Sequence, residues 1–530
     1  MMKYPIGIQT FEKIINGGYV YVDKTDLIYK LVTEGTIYFL SRPRRFGKSL
    51  LVSTLKNYFL GRKELFKGLA IDKLETEWAE YPVFHIDFNN NDFSEAGALE
   101  KKLEKYLIIW EKMYGKFPGD VSFGDRFAYV LNQAHLQSGH RCVVLVDEYD
   151  KPLLDVLDQD IKVRVGDREL KLEERNRNLL KAFYSVFKGA DEDLKFVLLT
   201  GVTKFSQVSV FSDLNQPADI SMSRDFEALC GITQQELETY FAKPIHMLAA
   251  MYACTDEEIK QRLKRRYDGY HFSLAMTDIY NPFSLLNVFF LKDFKDYWFS
   301  TGTPTYLIRL LNHTQEDLNE MTGRYYATKE FIDYKATVEK PLPMIYQSGY
   351  LTIKAYDPFF NTFLLDFPNN EVKEGFVSLV AANYLKPEME TDNWIRTVVA
   401  ALYKGEVERL CDLFTSFLAS IPYSMRRKEE ERERERFFHY TLYLIFRLIS
   451  VYTTYTEKEQ SQGRADCIVE TADYIYIFEF KLDGTADEAL CQIEEKGYAR
   501  PYQGDRRKLY KIGVSFSSQT GTVEEWKTEE

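Results

Sequence analysis

Long apolar runs are missing from this 530-residue sequence. None reaches the roughly 18 residues that a membrane-crossing helix needs, so no membrane partner is expected. The start, Met1-Met2-Lys3-Tyr4-Pro5, lacks the apolar core of a secretion signal. Cysteine is scarce: six residues, at 142, 230, 254, 411, 467 and 491, with no C-x-x-C pair and no histidine at metal spacing. That argues against a disulfide framework or a Cys/His metal site, and predicts reduced thiols in a cytoplasmic protein. Basic charge is outweighed, at 68 Lys and Arg against 80 Asp and Glu. Any nucleic-acid contact must therefore come from local basic patches, not from the global field. No internal repeat is visible.

What is present is a globular composition, 45% hydrophobic and 28% charged. The length suits roughly two to four domains. Tyr and Phe, at 37 and 38 residues, favour large packed cores.

The rest of the chain is organised around Ser41-Arg42-Pro43-Arg44-Arg45-Phe46-Gly47-Lys48-Ser49-Leu50. The apolar run Ile37 to Leu40 before it has strand character, and Leu50 to Phe59 reads as a helix stopped by Gly61. Strand, loop, Gly-Lys-Ser and helix is the layout of a phosphate-binding P-loop. Backbone N–H groups from Arg44 to Leu50 would face the phosphates of ATP, Lys48 would reach the β/γ-phosphates and the Ser49 hydroxyl would hold Mg²⁺. The pattern departs from G-x-x-x-x-G-K-[ST] at its first position, which is Arg42. The alternative is a basic surface turn.

A second signal is Cys142-Val143-Val144-Leu145-Val146-Asp147-Glu148-Tyr149-Asp150. An apolar run of this kind bounded by charge suits a strand buried on both faces of a parallel sheet, with its acids at the carboxyl end. This is a Walker B pattern: Asp147 would hold Mg²⁺ and Glu148 would orient or deprotonate the attacking water. The alternative is a buried strand that ends in surface acids. Lys195 to Gly201 is another buried strand, and Thr200 or Thr203 at its end would touch the γ-phosphate or the water. The charged stretch 155–176 reads as a loop insertion, and 233–340 as helical. Arg265 or Arg266 is a candidate lid arginine, with a helix surface charge as the alternative. Residues 344–376 give a hairpin after a helix, a winged-helix pattern.

The final chemical site has period two. Gly463 to Glu470 is a short strand and Tyr474 to Lys481 a longer one, in which Glu479 and Lys481 project from the same face. Asp466 on the neighbouring strand can pair across to that face. Asp466 and Glu479 would hold Mg²⁺ or Mn²⁺, and Lys481 would polarise the water that attacks a phosphodiester. A helix over 487–499 and a strand over 511–516 follow, giving the element order of PD-(D/E)XK nucleases. The alternative is a salt-bridged edge strand. Lys496, Arg500, Arg506, Arg507, Lys508 and Lys511 form either a phosphate track or a solvated surface.

With both sites in view, the chain resembles a bacterial family of AAA-ATPase-like proteins that carry a C-terminal PD-(D/E)XK nuclease-superfamily domain. The resemblance rests on Tyr21 to Thr25, Arg42 to Ser49, Val146 to Asp150, Thr200 to Ser206, Tyr267 to Tyr270, Tyr280 to Phe283, Gly463 to Asp466 and Glu479 to Lys481. It implies that Arg42 at the first-glycine position is a family trait, and that Tyr21 to Thr25 borders the adenine pocket. The architecture expected is α/β throughout. A P-loop NTPase core of AAA/STAND type spans 1–232, a helical lid 233–340, a winged-helix-like and helical region 341–420, and a restriction-endonuclease-like domain 426–520. The expected function is ATP binding and hydrolysis that regulates a Mg²⁺-dependent nuclease acting on DNA or RNA, in a chain able to form oligomers. The rival is a nucleotide-switched module whose nuclease-like domain only binds nucleic acid or protein.

Overall fold

The computed structural model describes residues 2–89, 91–119, 121–157, 159–165, 168–204, 217–301, 321–332, 341–385, 391–420, 441–442, 444–446, 449, 454–456, 459–460, 463–464 and 467–530. These fall into two compact units, one of the described residues up to Glu371 and one from Val372 onward.

The first unit is built on five parallel strands: β1 (Ile37–Ser41), β2 (Val83–Asp87), β3 (Cys142–Asp147), β4 (Leu194–Gly201) and β5 (Ala218–Asp219), in the order β2-β3-β4-β1-β5. β3 is buried at all six positions, as its unbroken apolar run requires of a strand covered on both faces. Ser41 is level with Gly201, Val146 with Leu199 and Asp87 with Asp147. The carboxyl ends of β1, β3 and β4 therefore share one edge, where open α/β sheets take ligands.

The helices are placed by legible end signals. α1 (Thr25–Glu34) precedes β1, and α2 (Lys48–Phe59) leaves the loop directly after it. α3 (Ala98–Tyr114) and α4 (Phe123–Ser138) pack together; the Ser122 hydroxyl caps α4 by accepting from the Asp125 N–H. The stretch expected as a charged loop instead pairs 162–165 with 168–171 as a short antiparallel hairpin and then starts α5 (Leu172–Tyr184).

α6 (Gln234–Tyr252) and α7 (Asp256–Tyr267) both open on a capping box, Thr233 with Glu236 and Thr255 with Glu258. α8 (Pro282–Leu291) opens on Asn281, whose side-chain oxygen accepts from the Phe283 and Ser284 N–H groups, with Pro282 in the first turn. That accounts for Asn281-Pro282-Phe283 as a helix start. The three helices close on one core that includes Phe241, Leu263, Tyr267 and Phe289, with Phe241 stacked on Phe289 at 5.0 Å.

The expected helix-and-wing is present: α9 (Leu342–Gln347) leads into the wing hairpin. A third strand that the sequence did not suggest joins it, giving β6 (Arg324–Ala327), β7 (Thr352–Asp357) and β8 (Thr362–Asp366) in the order β6-β8-β7. α10 (Asn370–Leu385) follows, and the division between the units falls inside it.

The second unit holds α11 (Thr391–Lys404), α12 (Val407–Ser420) and a mixed sheet. Its strands are β9 (Thr454–Thr456), β10 (Cys467–Glu470), β11 (Tyr474–Leu482), β12 (Lys508–Phe516) and β13 (Val523–Glu529), paired in chain order. Only β11 and β12 run parallel, joined by the crossover helix α13 (Ala486–Glu495), whose N-terminus carries the Thr485–Glu488 capping box. On one face of β11, Tyr474, Tyr476, Phe478 and Phe480 form a ladder of rings about 6 Å apart. On the other, Ile475 and Ile477 meet Leu490 and Ile493 of α13. In the sequence, 426–436 is a charge run of mixed sign that reads as a solvated helix start and 437–451 an apolar helix; these stretches lie wholly or largely outside the described residues. Among the described residues no helix is long and apolar enough to cross a membrane.

Candidate functional site

The loop between β1 and α2 buries Arg42, Pro43, Phe46 and Lys48 and exposes Arg44, Arg45 and Gly47, with two backbone reversals along it. Arg45 (φ +67°) and Gly47 (φ +94°) both sit in the left-handed region. At Gly47 nothing lies within 4 Å of where a Cβ would be, so the backbone there stays open to a ligand. Arg44 and Arg45 point outward and are exposed; Arg42 and Phe46 are buried. The Phe46 ring meets Tyr270 edge-on at 4.8 Å and Phe272 at 5.4 Å, which gives Tyr270 of the Tyr267 to Tyr270 motif a packing role.

Arg42 stands where a P-loop has its first glycine, and the structure supplies a reason. Its guanidinium donates to the carbonyls of Ser41, Ser221, Phe226 and Glu227 and lies 4.2 Å over the Phe272 ring. The arginine thus ties the loop to the segment after β5. The Trp298 indole N–H donates to the Arg44 carbonyl at 2.9 Å, so the loop is held from a second side.

Lys48 is buried, and its ammonium donates to the Arg42 and Pro43 carbonyls at 2.9 and 3.1 Å. Facing it is a cavity of about 510 Å³ lined by Arg44, Arg45, Gly47, Lys48, Ser49, Leu50, Glu148, Lys151 and Trp298, among others. A smaller, mainly apolar recess of about 100 Å³ shares Gly47 and Leu50 with it and is lined by Tyr21, Val22, Phe46, Thr54 and Ile232. The Tyr21 to Thr25 segment also acts as a clamp. Asp23 accepts from the Thr25 and Ala70 N–H groups, and Lys24 pairs with Glu236 at 2.6 Å.

At the sheet edge, Thr200 donates to the Asp147 carboxylate at 2.8 Å, linking β4 to β3. Glu148 turns back into the cavity with φ +52°. Burial pushes its carboxyl above the usual range, while Lys48 and Arg44 pull it down and Asp150 and Asp147 push it up. Asp150 is buried and accepts from the Val202 and Thr203 N–H groups and the Thr203 hydroxyl, and Tyr149 donates to the Thr203 carbonyl. Gly201 is required here because a Cβ would fall 2.7 Å from both Asp150 and the Tyr149 ring.

Of the residues expected at this site, Arg44, Arg45, Gly47, Lys48, Ser49, Leu50 and Glu148 line one cavity, and Asp147 and Thr200 are bonded to each other at the same sheet edge. Phe46 lines the apolar recess instead. Arg265 and Arg266 are elsewhere: Arg266 pairs with Asp296, and Arg265 bonds back to the Gln261 carbonyl of its own helix. Trp298 was missed by sequence reasoning, because nothing near it in the chain announces its contact, and Asp150, though inside the Val146 to Asp150 motif, was given no role.

In the second unit, Glu479 is buried and Lys481 lies 3.6 Å from its carboxylate, on the face of β11 covered by α13. Gln492 of α13 joins them, donating to Glu479 and accepting from Lys481. Gln492 was another omission; its signal is its place one residue before Ile493 on the face of α13 that meets β11. β10 pairs with β11 from Cys467–Phe478 to Glu470–Ile475, and Asp466 lies outside the described residues. Among the described residues, no three His, Cys, Asp or Glu side chains form a metal-holding group. Of the flanking basic residues, Arg507 pairs with Glu470 and Asp505, Lys508 with Glu530 and Lys511 with Glu494.

Comparison with known proteins divides the chain in the same sense. A family described as Predicted AAA-ATPase matches residues 5–211, and the PD-(D/E)XK nuclease superfamily matches residues 433–526. The chain is 34% identical over 528 residues to the "Uncharacterized protein in vnfD 5'region" of Azotobacter chroococcum mcd 1, covering 98% of each chain.

Proposed function

The chain belongs to the family of AAA-ATPase-like proteins with a C-terminal PD-(D/E)XK nuclease-superfamily domain, and from that premise we propose that it binds and hydrolyses ATP and uses its nucleotide state to regulate a metal-dependent phosphodiesterase site acting on nucleic acid. The observation that carries the reading is the cavity at the carboxyl edge of the parallel sheet. It gathers four cations, Arg44, Arg45, Lys48 and Lys151, around one carboxylate, Glu148. Such a balance favours a polyphosphate over a neutral ligand. The open backbone at Gly47 and the start of α2 fit a phosphate chain.

Lys48 would exchange its two loop carbonyls for β/γ-phosphate oxygens, and the apolar recess beside Gly47 would take the base. Ser49 and Asp147 would hold Mg²⁺, which supplies charge neutralisation at the phosphates. Thr200 orients the Asp147 carboxylate, and Glu148 accepts the proton of the attacking water. In the second unit Glu479, with Asp466, would hold Mg²⁺ or Mn²⁺, and Lys481 would polarise the water. Gln492 fixes the rotamers of both Glu479 and Lys481.

A second reading, in which the nuclease-like domain only binds nucleic acid or protein, is favoured by one observation. Arg507, Lys508 and Lys511 are already paired with acids, which leaves less charge to meet a phosphate backbone. The two readings separate when purified protein is incubated with ATP, Mg²⁺ or Mn²⁺ and a panel of DNA and RNA. Phosphate release with strand cleavage supports the first; phosphate release with retention of intact strands supports the second; neither activity overturns both.

A further inference from the structure

Hydrolysis of a nucleoside triphosphate needs a cation that meets charge as it develops on the γ-phosphoryl group, besides the lysine that binds it in the ground state. P-loop enzymes supply it as an arginine from the same chain or from a partner. Neither Arg265 nor Arg266 lines the cavity, whose four cations differ in what they touch. Lys48 is the ground-state cation, on the carbonyls of Arg42 and Pro43. Lys151 pairs with Asp155 at 2.6 Å. The Arg45 guanidinium lies 5.2 Å over the Phe283 ring.

Arg44 differs from all three. Its side chain is exposed at the cavity and has no ion pair among the described residues. Its backbone is nonetheless fixed, because its carbonyl accepts the Trp298 indole N–H at 2.9 Å. Its charge also acts on the Glu148 carboxyl across the cavity. An exposed cationic head on an anchored backbone, lining the same cavity as Glu148, suits late stabilisation of a phosphoryl group.

We propose that Arg44 is this arginine, supplied in cis from within the phosphate-binding loop, so that one copy of the chain holds a complete hydrolytic site. The proposal rests on the ATPase reading above. In the step it serves, the water oxygen bonds to the γ-phosphorus and the water proton passes to the Glu148 carboxylate. The bond from the γ-phosphorus to the β–γ bridging oxygen breaks, its electron pair leaving with ADP. Arg44 transfers no proton; its N–H groups meet the phosphoryl oxygens as the bond to ADP lengthens.

The test compares wild type with Arg44→Ala and Arg44→Lys by steady-state phosphate release, by binding of a fluorescent ATP analogue and by thermal melting. In Arg44→Ala, the expected result is unchanged melting and a nucleotide affinity lower by no more than about tenfold, as the loss of one of four cavity cations entails, with kcat lower by at least about 100-fold. Arg44→Lys keeps the charge but not the fork, and falls between. Wild-type rate per chain stays constant from about 50 nM to about 5 μM, and mixing Arg44→Ala with Lys48→Ala restores nothing. Near-wild-type kcat in Arg44→Ala overturns the proposal, as does loss of nucleotide binding, which makes Arg44 a ground-state ligand. Recovery of turnover on mixing overturns it too, because the arginine then acts from a neighbour. A wild type that releases no phosphate from any nucleotide brings down the ATPase reading itself, an outcome distinct from the other three.

Discussion

At the scale of the residue, the most consequential groups are carboxylates whose neighbours set their charge. Glu371 is buried, accepts from the Ser284 hydroxyl at 2.7 Å and from the Trp298 N–H at 2.6 Å, and burial pushes its carboxyl up to about 7. It therefore holds the residue that braces the phosphate loop. The unfolded chain titrates such a group near about 4.3. Between that value and about 7 the folded protein binds the extra proton. Stability from Glu371 is thus fully present below the unfolded value and is lost as pH rises towards 7. Its size is at most on the order of 3 kcal/mol. Glu371→Gln still accepts from the Trp298 N–H through its oxygen and donates its amide to the Ser284 hydroxyl oxygen in place of accepting from it, and should flatten this part of the profile. Thermal midpoints at pH 5 and pH 7.5 check it: the wild-type midpoint should fall more over that interval than the variant's, and equal falls would remove Glu371 from the account. Asp268, also raised to about 7 by burial, contributes a background of the same sign in both proteins.

At the scale of the element, the loop from β1 to α2 behaves as one fastened piece. Arg42 fastens its start to three carbonyls beyond β5 and Trp298 its middle, while Phe46 is packed between Tyr270 and Phe272. Restoring the common P-loop residue, Arg42→Gly, should therefore harm the protein. It leaves the Ser221, Phe226 and Glu227 carbonyls without this donor and frees the loop's backbone. Hydrogen bonds to a charged donor contribute about 1.5–3 kcal/mol each, so a loss of several kcal/mol is expected. Urea unfolding measures it, and a variant as stable as wild type would show that the arginine is not a strut. The elements with strong local signals, β1, α2, β3, β4 and β11, were legible in the sequence because apolar runs and end signals are local. Legibility failed where pairing is decided at a distance. β6 and β13 are edge strands with no buried residue and little alternation to mark them, and the hairpin at 162–171 is too charged to read as sheet. Lys48, Ser49, Asp147 and Glu148 could be named because their motifs are contiguous. Trp298 and Gln492 could not, and Asp150 was given no role, since each matters through a partner brought to it by the fold.

At the scale of the whole molecule, one chain carries a phosphate-loop site near its beginning and a candidate phosphodiester site near its end. Regulation between them requires two states that ATP binds with different affinity, since a ligand indifferent to the states shifts nothing. A non-hydrolysable ATP analogue should change strand cleavage or nucleic-acid affinity by at least about fivefold, the low end of typical coupling. Asp466→Ala should abolish cleavage and leave phosphate release largely intact. Identical cleavage and affinity with and without nucleotide would leave two unconnected activities. All of this depends on nucleotide turnover at the loop. The most direct measurement is phosphate release from ATP by wild type and by Lys48→Ala, each first shown to be folded by its thermal midpoint. The account predicts steady release by wild type and none by the variant, because the β/γ-phosphates lose the cation that the loop carbonyls of Arg42 and Pro43 hold ready for them. Undiminished release by a folded Lys48→Ala protein would contradict it.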